Sequence, residues 1–192
     1  MKILVVKGID EAKTVTDLCV RLVADSAVVP SGKPFFVPDF AKRFKGRPAL
    51  AFRIGRLGKH ISGQFAHRYF NTVAACCMVT PHEMHIDAIN DEEDARLQSF
   101  DGSVLLGNFL PYDGERDLYV GLHDKNGLGG EWLLSETAPM LHHLIQELSR
   151  YFTLKMGDLI LCDSGKDVVD LQISSEVQGK VCGEDSLTTR IR

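Results

Sequence analysis

The densest set of side chains able to do chemistry is His82, Glu83, His85 and Asp87. Two histidines three residues apart on a helix can share a metal ion, and a carboxylate can complete a facial set. No second His-rich segment is positioned by sequence to finish such a site. The plainer reading is therefore preferred: a polar helix start after Pro81, beside the solvated acidic stretch IDAINDEEDARL at 86–97. Cys76-Cys77 is a candidate redox pair, but neighbours on a strand point to opposite faces. Two small apolar side chains in a core strand account for it better. His142-His143 lies on a helix, where one of the pair must face outward, so both are read as surface residues. Asp101 either orients a pocket loop or caps a turn.

The elements that must position these groups are short. Ile3 to Val6 reads as a first strand, and Val20 to Val29 is rich in β-branched residues ahead of a Pro30-Ser31-Gly32-Lys33 turn. Phe35-Phe36-Val37 is a short strand stopped by Pro38. Leu50 to Ile54 and Thr72 to Val79 read as buried strands, with a helical Ser62–Tyr69 between them and Ser62 as its cap. Val104–Leu106, Leu118–Leu122 and Trp132–Leu134 are further strands among Gly, Asp and Asn turns. After Ser135 comes the clearest helix, with Pro139 in its first turn. Met140, Leu141, Leu144, Ile145, Leu148, Tyr151 and Phe152 form its apolar stripe. Leu159–Leu161 is a strand, and 171–177 and 180–190 alternate. Many short strands with two or three helices predict an α+β, mainly β domain, and the order lacks regular βαβ alternation.

The chain has 192 residues, 44% hydrophobic and 25% charged, with net charge -4. These values predict one globular domain over 1–192 and argue against a nucleic-acid partner. The densest basic run, Lys42 to Arg47, is read as a solvated loop. No apolar stretch nears the roughly 20 residues of a membrane span, and Ile3–Val6 is too short for a signal segment, so no membrane partner is expected. Five cysteines, Cys19, Cys76, Cys77, Cys162 and Cys182, are an odd count without metal-knuckle spacing. They predict free thiols and a cytoplasmic location.

Several ordered runs resemble one family. Pro48-Ala49-Leu50-Ala51-Phe52-Arg53-Ile54-Gly55 leads into Arg56-Leu57-Gly58-Lys59 and an Ala-His-Arg-Tyr segment. Asp25-Ser26-Ala27 and Gly32–Phe36 precede that run. Ser99-Phe100-Asp101, Leu105-Leu106-Gly107 and Glu147–Ile160 follow it. Together they resemble the fumarylacetoacetate hydrolase superfamily in its small single-domain bacterial branch, over a core of 25–192 behind a reduced N-terminal segment, 1–24. The resemblance implies a rolled mixed β-sandwich with a few short helices and one longer helix in the C-terminal half, as a homodimer. It assigns His67 to packing or hydrogen bonding.

It also implies a reaction: a Mg²⁺ or Mn²⁺ ion grips adjacent oxygens of a 2-oxo acid or β-diketone and stabilises the enolate. In the family a Glu-x-Glu pair and a third carboxylate hold that ion. Here those positions fall on Arg47, Ala49 and, in the next strand, Cys76. The family's substrate lysine aligns with Gln98, its lid histidine segment with Gly8–Lys13, which has no His, and its Thr-Gly-Thr-Pro loop with Cys162–Gly165, where Ser164 keeps a hydroxyl. No Asp or Glu lies between Arg47 and Glu83, whatever the register.

The expectation is therefore a degenerate homologue with no cofactor and a remnant pocket of Arg47, Ala49, Cys76, Gln98, Asp101 and Ser164, open to a small carboxylate ligand. Two alternatives stand beside it. One is an active hydrolase, decarboxylase or isomerase on acylpyruvate, oxaloacetate or 2-hydroxyhepta-2,4-diene-1,7-dioate-like substrates. It would recruit Asp39, Asp101 or the His82–Asp87 group, with Mg²⁺ or Mn²⁺ if the family activity survives. The other is a non-catalytic partner subunit.

Overall fold

The computed structural model describes residues 1–9, 18–84 and 94–192. Apolar runs between glycine, proline and aspartate turns become thirteen strands among the described residues. In chain order they begin with β1 (Ile3–Lys7), β2 (Cys19–Val23), β3 (Val28–Pro30), β4 (Ala41–Ile54) and β5 (Phe70–Met84). The one-turn helix α1 (Ala95–Gln98) precedes β6 (Val104–Leu106), β7 (Leu110–Pro111), β8 (Leu118–Asp124) and β9 (Gly129–Leu134). The helix α2 (Thr137–Tyr151) leads to β10 (Leu159–Asp163), β11 (Val169–Asp170), β12 (Glu176–Val181) and β13 (Glu184–Arg190).

Two sheets result. The larger runs β2-β1-β10-β4-β5-β6-β3, with β11 added to β4 and β7 to β5; the smaller runs β13-β12-β8-β9. The larger sheet is mixed: β1 is parallel to β10, with Ile3 opposite Leu159, and β3 is parallel to β6, while the other pairings are antiparallel. The main core fills the space between the sheets. It joins Leu50, Phe52, Ala75 and Cys77 to Leu118, Val120 and Leu122, with Leu141, Leu144 and Leu148 of α2. A second apolar cluster, including Ile3, Val5, Ala49, Ala51, Ala74, Cys76 and Leu161, covers the opposite face of the larger sheet. Ser186 on β13 ties the sheets together: its Oγ accepts from Ala75 N at 2.9 Å and donates to Asn108 O at 2.8 Å.

Several local expectations change. The basic run Lys42–Arg47 is not a solvated loop but part of the 14-residue β4. Phe44 turns inward there against Phe35, Phe40 and Phe100. Gly46 is forced by close packing, because a Cβ would lie 2.6 Å from Cys77 Sγ and 2.8 Å from Val169. His82 does not start a helix; β5 continues through it, opposite Arg43 on β4. Phe35 makes only an isolated bridge to Ile191 instead of a strand. Ser62–Tyr69 is realised as a 3₁₀ helix, Gly63–Arg68, without a side-chain cap from Ser62. In α2, Tyr151 leaves the predicted stripe and is exposed at the last residue of the helix. The first turn of α2 is capped from the loop before β8, where Asp117 Oδ1 accepts from Thr137 N at 3.1 Å.

Candidate functional site

Strand alternation places Arg47, Ala49 and Ala51 on one face of β4. The register sets Ala49 opposite Cys76 on β5 and opposite Asp163 on β10, with Arg47 opposite Met78. Arg47, Ala49 and Cys76 thus share a neighbourhood, and Cys77 points to the main core on the other face. Ser164 follows Asp163 in sequence and is pinned by its N–H to Pro48 O at 3.2 Å.

The groups that surround Arg47 are carboxylates. Its Nη2 lies 3.4 Å from Asp163 Oδ2 and its Nε 3.9 Å from Asp167 Oδ1. Arg47 is 9% exposed and Asp163 1%. Asp167 is further held by Thr80 Oγ1 at 2.9 Å and His82 Nε2 at 2.7 Å. Asp163 Oδ1 accepts from Gly165 N at 3.0 Å, closing the turn that carries Asp167 back to β4. Arg47 Nε and Asp163 Oδ2 make no hydrogen bond with a described residue. Their attraction is through charge at slightly longer range.

This donor set does not fit a hard divalent ion. Ala49 offers no ligand atom. Burial, with Cys77 and Asp163 adding to it, pushes the Cys76 thiol well above its ordinary pKa, so it stays a neutral soft donor. Burial likewise lifts Cys77 to about 12, against the opposing pull of Arg47. Arg47 itself brings a permanent cation to the position where a dication would sit. Among the described residues no three His, Cys, Asp or Glu side chains form a metal-binding group.

The remaining predicted positions disperse. Gln98, on α1, accepts from Arg21 on β2. Asp101 is exposed in the turn before β6. His82 is committed to Asp167, while His85 and Asp87, like residues 10–13 of the N-terminal segment, lie outside the described residues. His67 packs against His142, ring centroids 6.2 Å apart. Burial and then the neighbouring His67 and His143 lower the pKa of His142, and His143 is exposed. Thr80, Asp163 and Asp167 were missed by sequence reasoning. A signal existed for one of them: Asp163 ends the apolar run Leu159-Ile160-Leu161-Cys162, and a fully buried carboxylate is almost never unpaired.

No family model matches the chain. Among curated proteins, the mitochondrial oxaloacetate tautomerase FAHD1 of Mus musculus is 23% identical over 175 residues, 89% of this chain and 79% of that protein. Among solved structures, fumarylpyruvate hydrolase from Pseudomonas aeruginosa, in complex with Mn²⁺ and pyruvate, superposes with TM-score 0.81 at 16% identity. That match covers 100% of this chain and 89% of the other. The chain has the fold of this enzyme. A further relative of the same fold is 2-hydroxyhepta-2,4-diene-1,7-dioate isomerase from Mycobacterium marinum, at TM-score 0.80 and 20% identity over 99% of this chain and 73% of that one. The fold is thus matched across nearly the whole chain by a hydrolase and an isomerase structure.

Proposed function

We propose that this chain is a member of the fumarylacetoacetate hydrolase superfamily that works without a divalent ion at the Arg47 position and does not perform metal-dependent hydrolysis or decarboxylation of 2-oxo acids. The observation that carries this reading is the Arg47 guanidinium, nearly buried and set between Asp163 and Asp167. The protein's own cation answers the local carboxylates, so a dication would meet repulsion and no free hard ligand. Two carboxylates against one guanidinium also leave no net positive charge to draw in a small carboxylate, which weighs against an anionic ligand at this position. Calorimetric titration with Mn²⁺, with and without oxalate, is expected to show no binding in the micromolar range. Micromolar Mn²⁺ affinity that oxalate enhances would overturn the proposal.

A second reading keeps a reaction but not the metal. The His82 imidazole, its side chain 38% exposed, is held by Asp167 at 2.7 Å. A carboxylate-held histidine with one nitrogen free is suited to moving a proton between carbon and oxygen of a 2-oxo acid. On this reading the purified chain speeds the enol–keto conversion of oxaloacetate in the presence of a chelator, and His82→Gln abolishes the acceleration. Equal rates for both proteins would dismiss it.

A further inference from the structure

One surface combines exposed apolar side chains with an excess of cations. Residues 55–61 lie against the segment running from the end of α2 to the turn before β10. Gly58 and Leu154 exchange backbone hydrogen bonds of 2.9 Å, His60 N donates to Ser149 O at 3.0 Å, and Lys59 Nζ donates to Arg150 O at 3.0 Å. These ties bring together Leu57, Tyr151 and Met156, which are 65%, 68% and 76% exposed. Residues 55–61 and 147–157 contain the cations Arg56, Lys59, Arg150 and Lys155 and a single carboxylate, Glu147. Glu147 is taken by Arg150 at 2.9 Å. Arg56, Lys59 and Lys155 form no ion pair with a described residue, in a chain whose net charge is -4.

We propose that this surface docks reversibly on an anionic lipid bilayer. Its cations meet the headgroup charges while Leu57, Tyr151 and Met156 enter the boundary between headgroups and acyl chains. Charge complementarity selects an anionic partner. The form of the apolar residues selects a deformable one: they stand on separate turns of backbone, each more than half exposed, instead of lining a groove. A second copy meeting the same face about a two-fold axis would set like charges against like. No described helix is long and apolar enough to cross a membrane. Peripheral docking needs none, so the expectation of no membrane partner, drawn from the lack of a spanning stretch, does not reach this surface.

The test is co-sedimentation of the full chain with phosphatidylcholine vesicles, with and without phosphatidylserine, at low and high salt. Binding is expected only to the phosphatidylserine vesicles, weakened by salt. Arg56→Gln and Lys155→Gln are each expected to weaken it about fivefold, and Met156→Ser to weaken it further. Unfolding midpoints, expected to match wild type because these side chains are exposed, show that the variants are folded. No sedimentation of wild type at low salt would overturn the proposal, as would equal binding to both vesicle types. Met156→Ser with unaltered affinity would point to an acidic protein partner and also overturn it. A wild-type dimer that Leu57→Ser converts to monomer would make the surface a self-contact, with the same consequence. None of these outcomes depends on whether Mn²⁺ binds near Arg47.

Discussion

Arg47 shows how a single side chain redirects the chain around it. A guanidinium removed from water must be answered by charge, and the turn after β10 folds back on β4 with Asp163 and Asp167 to supply it. Removing the cation leaves Asp163, 1% exposed, without compensation. Arg47→Ala is therefore expected to cost about 3–5 kcal/mol, read as a lower urea midpoint. The double variant Arg47→Ala/Asp163→Ala should recover part of that loss, since neither charge is then left unpaired. At this scale the sequence was half legible. Arg47 was marked by the family resemblance, at the end of a basic run, while Asp163 closes the apolar run Leu159–Cys162 and was passed over. Which carboxylate answers which cation is decided by the β4–β10 register, and no local pattern records a pairing between strands so far apart in the chain.

Elements were most legible where one periodicity governs them. α2 follows its apolar stripe from Leu141 to Leu148, and β6, β8, β9 and β10 fall on their apolar runs. β4 and β5 were underestimated because their outer halves, around Lys42–Arg47 and Pro81–His82, carry polar residues that only pairing with each other makes strand. The loop into β10 makes a prediction of its own. Asp158 is 2% exposed, and burial alone would raise its pKa. Hydrogen bonds from the Lys2 side chain, Lys2 N and Lys155 N outweigh this and hold it below the ordinary carboxylate range. A lowered folded-state pKa gives stability that is present above the unfolded value of about 3.9 and lost as pH falls through the folded value. Wild-type stability should drop below about pH 4 more steeply than that of Asp158→Asn, compared by denaturant midpoints across the acid range.

The molecule as a whole is two sheets that meet through apolar packing and a few polar ties. Ser186 is the tie most open to test. It is 3% exposed, and Ser186→Ala strips the acceptor from Ala75 N, a buried donor. The expected loss is about 1–3 kcal/mol, with a single cooperative unfolding transition; separate transitions for the two sheets would contradict the coupling. The pairing of β1 with β10 has another consequence, in the order of events during synthesis. Lys2 and Asp158 are 156 residues apart, so at cellular elongation rates the partner of β1 arrives roughly 8–30 s after it. Through that interval Ile3, Leu4, Val5 and Val6, all fully buried in the finished protein, have only β2 to pair with. A strand made early and closed in late is a segment that ribosome-associated chaperones would be expected to shield until β10 emerges.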